Sequence, residues 1–158
     1  MANSQSMCTS FLGELMTATH NFGSSPIRAA ATADTFKAAL YITTATVNAA
    51  TTVYSATNEV SGSGYSAGGV TVTNGSAPAS TNSSATAGVG YWTPSASITY
   101  TSVTLTTAFD CVLIYNSTQS NKAVSVHTFG AQTITSGTFT LTMPSNTTST
   151  ALLRLATT

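Results

Sequence analysis

Residues 98–143 read ITYTSVTLTTAFDCVLIYNSTQSNKAVSVHTFGAQTITSGTFTLTM. β-Branched and aromatic residues dominate the run, and short apolar alternations recur at intervals of about ten residues, the rhythm of a sandwich or barrel. Strands are predicted at 98–105, 111–115, 122–129 and 138–143, with another at 151–155. Asn116 with Ser117, and Gly130 with Ala131, supply turns between them. Pro144 closes the fourth strand because it has no ladder N–H to donate. Upstream, Phe36, Ala38, Leu40 and Ile42 alternate with Lys37, Ala39 and Tyr41, which again is a strand period. Val70 and Val72 begin a further one. With Tyr91 and its neighbours the total is about eight strands. The fold class is therefore mainly β: a two-sheet antiparallel sandwich, jelly-roll-like, with a short N-terminal helix. No repeat of fixed period is visible, so a solenoid is not expected.

The helix is predicted from a Ser10 cap to Asn21. Phe11, Leu15, Ala18 and Phe22 form one apolar stripe, flanked by Leu12 and Met16. Gly13 weakens it by about 1 kcal/mol relative to alanine, and Gly23 is placed to end it. Residues 23–34 read as an extended connector. Residues 1–34 thus form a helix and connector, and 35–158 a β-sandwich, in one compact domain overall. Residues 43–60 are open between a short helix and a loop. Residues 59–69 (EVSGSGYSAGG) hold four glycines in eleven positions, which suits tight corners. Residues 74–90 are small, polar and turn-rich, hence a surface loop or weak edge.

Composition narrows the function. The chain has 158 residues, 5% of them charged, and no net charge. It lacks the clustered basic face that a nucleic-acid binder needs, any polybasic membrane patch, and any apolar run long enough to span a bilayer. Thr and Ser number 33 and 22, about a third of the chain, while Leu, Ile, Val and Phe total only 30. Threonine's branched Cβ favours extended backbone, so the bias means neutral hydroxyl-bearing sheets rather than disorder. So thin an apolar stock makes a homo-oligomer the expected state, with a trimer favoured. Residues 1–10 lack the basic and apolar regions of a signal peptide, and Cys8 and Cys111 are expected to stay as thiols in a reducing cytoplasm. The sequons at Asn74, Asn82, Asn116 and Asn146 occur at chance frequency.

Few residues could carry chemistry. Asp110 and His127 could meet on adjacent strands, but no serine sits in a G-x-S-x-G elbow. Cys8, His20, Cys111 and His127 never form the short-spaced pair that zinc sites use, and no Asp-x-Asp loop suggests calcium. Gly62, Gly64, Gly68 and Gly69 lack the Lys-Ser/Thr of a phosphate cradle and precede a strand, so they read as turn formers. No catalytic residue, metal or cofactor is predicted. Glu59 is one of eight charges and sits beside this corner. It is expected in a fixed interaction with Lys122, with Arg154 or with backbone N–H groups of the corner. Threonine arrays at 99/101, 104/106, 133/135 and 138/140/142 line hydroxyls along strand faces, suited to packing on other subunits. Tyr91, Trp92 and Tyr100 could form a stacking platform for a carbohydrate or receptor, although the commoner use of a lone tryptophan is as an anchor.

Two stretches resemble a family of small structural proteins of tailed bacteriophages. The first holds Phe36-Lys37-Ala38-Ala39-Leu40-Tyr41, then Tyr54, then Thr57 to Gly69. The second holds Leu113-Ile114-Tyr115-Asn116, Asn121-Lys122-Ala123-Val124, Phe129-Gly130, Gly137-Thr138-Phe139-Thr140 and Leu152-Leu153-Arg154-Leu155-Ala156. The resemblance covers roughly residues 8–72 and 110–156. It implies a virion protein without an active site, most specifically a head decoration or cement protein. Such a protein would bind the major capsid protein in many copies on the capsid surface, after synthesis in the host cytoplasm. The alternative is a tail-associated receptor- or carbohydrate-binding component.

Overall fold

The computed structural model describes residues 3–16, 18–22, 33–75, 77–81 and 88–156. Chain order is β1 (Ser6–Met7), α1 (Thr9–Met16), β2 (Phe36–Ile42), β3 (Val70–Thr71), β4 (Ala79–Ser80), β5 (Val89–Trp92), β6 (Ile98–Asn116), β7 (Lys122–Leu141) and β8 (Leu153–Ala156). Two antiparallel sheets result, ordered β1-β7-β6-β2-β3 and β4-β5-β8. The molecule is mainly β with one short helix, the architecture that the strand periods predict.

β2 alternates as expected, yet both of its faces are covered: Phe36, Ala38, Ala39, Leu40 and Tyr41 are all buried. A strand between two neighbours in a sheet, packed above and below, cannot leave its polar face wet. Phe36 joins the two sheets. Its ring stacks on Phe22 at 4.5 Å, and Phe22 meets Trp92 of β5 at 4.7 Å. Trp92 pairs in register with Leu153 of β8, and both are buried. The second sheet is therefore held on the first by aromatic contact.

Both ends of the helix differ from the sequence reading. The helix starts at Thr9 rather than at a Ser10 cap, because Cys8 N–H is tied to the Val124 carbonyl and Thr9 N–H to Ala49. It stops before Asn21 because Ala18 is left-handed, at φ 53°. Ala18 N–H bonds to Leu15 and Thr19 N–H to Glu14, a Schellman closure with alanine where glycine is usual. The expected stop at Gly23, residues 23–32 of the connector, and the side chains of Leu12 and Met16 lie outside the described residues.

The largest difference lies in the quoted stretch. The segments predicted at 98–105 and 111–115 are one strand of 19 residues, and those at 122–129 and 138–143 belong to one of 20. Gly130 and Ala131 do not turn the chain. They sit in a bulge where β7 advances from Thr128 to Gln132 while β6 moves only from Cys111 to Phe109. Ser102 and Ser136, both at φ 54°, sit at further register shifts. Bulges absorb residues that break the two-residue period, so small polar residues that look like turns can lie within a strand. Residues 43–60 contain turns and isolated bridges and no helix. The 74–90 stretch contributes the two-residue edge strand β4.

Candidate functional site

The glycine-rich corner lies flat against β2 and β6. A Cβ built on Gly69 would stand 1.6 Å from the Ala38 carbonyl oxygen, and one on Gly64 2.2 Å from that of Ser102. Both glycines also have positive φ, 69° and 77°, so side chains are excluded there by space and by backbone. Gly62 approaches the Thr104 carbonyl in the same way. Glu59 organises the corner. Its Oε1 accepts from the Tyr65 hydroxyl at 2.6 Å and from Gly68 N–H at 2.8 Å, and its Oε2 accepts from the Tyr54 hydroxyl at 2.6 Å. Tyr65 OH also accepts from Leu40 N–H, and Tyr115 OH donates to the Gly68 carbonyl. Burial, and after it Glu59, pushes the phenols of Tyr54 and Tyr65 far up, so they remain donors. Of the partners anticipated for Glu59, the backbone N–H is present and the two cations are elsewhere. Lys122 is bound to Glu14, and Arg154 Nε donates to the Thr148 carbonyl. Tyrosine hydroxyls take the place of a cation because they reach Glu59 from loops already packed on β2.

A second polar cluster has no counterpart in the sequence reading. His20, whose side chain is fully buried, sets Nε2 2.8 Å from Glu14 Oε2, and Glu14 Oε1 receives Lys122 Nζ at 2.7 Å. On the other ring nitrogen, Asn116 Nδ2 approaches His20 Nδ1 at 3.0 Å and Asp34 Oδ2 at 2.7 Å. Asp34 also accepts from Asn21 N–H and Gln119 Nε2. The amide orientation is set by Asn116 Oδ1, which accepts from the N–H groups of Thr118 and Gln119. Asn116 must therefore donate to Nδ1, and the imidazole is the neutral tautomer with its proton on Nε2, facing Glu14. Burial lowers the His20 pKa from 6.5 and outweighs the hydrogen bond and charge of Glu14 and the charge of Asp34, which raise it; Lys122 lowers it further. The Glu14 carboxyl is raised by burial and lowered by its bonds to Lys122 and His20, ending below its ordinary value. This cluster fastens α1 and the segments at 18–22 and 33–35 to the β6–β7 turn. The only sequence signal for it was scarcity: of eight charges, Glu14 contacts the histidine, and Lys122 and Asp34 reach it through Glu14 and Asn116.

The remaining candidates are separated by the fold. Ser125 Oγ lies 2.9 Å from His127 Nε2, but Ser125 is buried and burial lowers the His127 pKa to about 4. Asp110 accepts from Asn3 rather than orienting His127, so the pair lacks the carboxylate that would make the imidazole an effective base. Among the described residues, no group of three His, Cys, Asp or Glu could hold a metal. Cys8 and Cys111 are free buried thiols. The three aromatics do not make a platform. Trp92 and Tyr100 are 3% and 2% exposed; Trp92 packs on Phe22, while Tyr100 stacks on Tyr65 and donates to the Ala38 carbonyl. Their area is worth more inside a core this poor in large apolar residues. Tyr91 stays half-buried and lines an apolar groove of about 250 Å³ with Phe11, Leu15, Phe22 and Trp92. No described helix is long and apolar enough to cross a membrane.

No protein-family model, curated protein or solved structure matches the chain.

Proposed function

We propose that this chain is a structural protein of a phage virion, a decoration or cement protein that binds the major capsid protein and reinforces the head shell without catalysis or cofactor. One observation carries the reading: the charge-bearing atoms of Glu14, Asp34, Glu59, Asp110, Lys122 and Arg154 all engage partners within the chain. What faces outward along β6 and β7 is neutral hydroxyl, at Thr101, Thr106, Thr133, Thr135, Thr138 and Thr140. Such a surface suits extensive hydrogen-bonded contact rather than steering of a charged partner. Spread over many copies, modest contacts of this kind add up.

The test compares shells prepared with and without the protein, heated or stripped of divalent ions. The expected result is greater survival of decorated shells, with density for the chain over the whole head. Equal survival, with the protein found only at the tail, would refute the proposal.

A further inference from the structure

The edges of the two sheets are unequal. β1, β3 and β4 have two residues each and β8 has four. β7 has 20 residues, and β1 covers it only at Ser125 and Val126. Past that point its one strand neighbour is β6. Among the described residues, no other backbone group bonds to β7 between 128 and 141. That stretch reads TFGAQTITSGTFTL, without a charge or a proline. Natural monomers blunt a long edge with lysine, proline or shortness, because its unpaired N–H and C=O groups are a template for another strand. Here the only such device is the pair of bulges, at 129–131 and at Ser136. Ser136 N–H is turned inward to Thr104 Oγ1, and the Gly130 carbonyl accepts from Gln132 Nε2 within the first bulge.

We propose that the outer edge of β7, residues 128–141, is a self-association surface on which a second copy of this chain adds its own β7, antiparallel, about a two-fold axis. Charge selects this occupant. The strand laid against its own copy brings no like charges together, whereas an acidic or basic partner finds no counter-charge on it. The pairing continues the ladder that β1 begins, and it extends the sheet face on which Ile134, Phe139 and Leu141 are only partly covered. An isologous contact closes on a dimer, not on the trimer expected from composition. The inference specifies the surface for the self-association anticipated above, and it stands on strand geometry rather than on the capsid reading.

Sedimentation of the full chain over a micromolar range tests it, alongside Thr133→Lys/Thr135→Lys, two exposed positions near the middle of the edge, where the two-fold axis would lie. The expected result is a dimer whose association weakens on the order of tenfold or more in the variant, as like charges meet across the axis. Circular dichroism should show the variant still folded. Thr138→Lys/Thr140→Lys, which puts charge at the end of the paired edge, is the second variant if the first does not fold. Hydrogen exchange should show amides in 128–141 gaining protection as wild-type concentration rises. A chain monomeric at every concentration, a trimer, or a dimer indifferent to both substitutions overturns the proposal. A monomer that still decorates shells would end this inference and leave the capsid reading standing.

Discussion

Replacing Asn116 by alanine tests whether the His20 cluster fastens the N-terminal segment to the sheet. The Asn116 side chain is fully buried and makes four hydrogen bonds: to His20 Nδ1, to Asp34 Oδ2, and from the N–H groups of Thr118 and Gln119. Alanine leaves His20 Nδ1 without a donor and Asp34 Oδ2 with Asn21 N–H alone. The two turn amides are nearer solvent and are partly rescued by water. A buried polar group without its partner costs about 1–3 kcal/mol, so the total is about 3–5 kcal/mol. For a chain of this size that lowers Tm by about 6–20 °C, measured by circular dichroism. Acid should act on the same element. The folded His20 pKa lies below 6.5, so between the two values the unfolded chain binds the proton more readily. The stabilisation is complete above pH 6.5 and drains away as pH falls below it. Glu14, also lowered from its ordinary 4.5, adds a second loss further down. Asn116→Asp should flatten the first loss, because a carboxylate facing Nδ1 favours the imidazolium. A fall under about 1 kcal/mol in N116A, or an unchanged acid profile in N116D, would refute the reasoning.

Other substitutions read the corner and the core. Gly69→Ala should cost at least about 3 kcal/mol, since its Cβ meets the Ala38 carbonyl at positive φ. Gly130→Ala, with nothing within 4 Å, should be neutral or stabilising by up to about 1 kcal/mol; paired thermal melts compare the two. Glu59→Gln should destabilise by about 1.5–3 kcal/mol, because an amide NH₂ then faces a tyrosine hydroxyl that needs an acceptor; denaturant titration measures it. Burial raises the Cys8 and Cys111 pKa values to about 11 and about 12, with Glu14 and Asp110 respectively adding to it. Neither thiol should then react with a disulfide reagent at pH 8 until the chain is unfolded.

Local periodicity was legible where the backbone stays regular. β2 was readable because seven residues alternate without interruption. Of the β6–β7 hairpin, the turn after Asn116 was legible and the length of the arms was not, since the bulge at Gly130 uses a residue type that signals a turn when only neighbours in sequence are considered. The helix was overextended because Ala18 takes the left-handed conformation against its type. Glu59 could be singled out as fixed, and the glycines beside it as turn formers, from scarcity and spacing. Its tyrosine partners could not, because the corner must fold over β2 before Tyr54 and Tyr65 converge. The His20 cluster draws on residues 14, 20, 34, 116 and 122, and no local pattern links positions so far apart.

The two polar clusters occupy equivalent roles in the architecture. Each joins a stretch that is not part of the long ladder to that ladder: the N-terminal segment through His20, Asp34 and Asn116, the glycine corner through Glu59 and its tyrosines. Apolar contact is non-directional and would by itself let either stretch slide over the sheet it packs on. Hydrogen bonds to buried groups have one geometry, and misplacing them leaves polar atoms unsatisfied at a cost of about 1–3 kcal/mol apiece. A chain with 30 Leu, Ile, Val and Phe residues in 158 gains register from these clusters that its apolar core is too sparse to impose. The same placement ties the carboxylates of Glu14, Asp34 and Glu59 to partners inside the chain. Under the capsid and self-pairing proposals, the hydroxyl-lined faces and the open edge of β7 are the surfaces offered to partners.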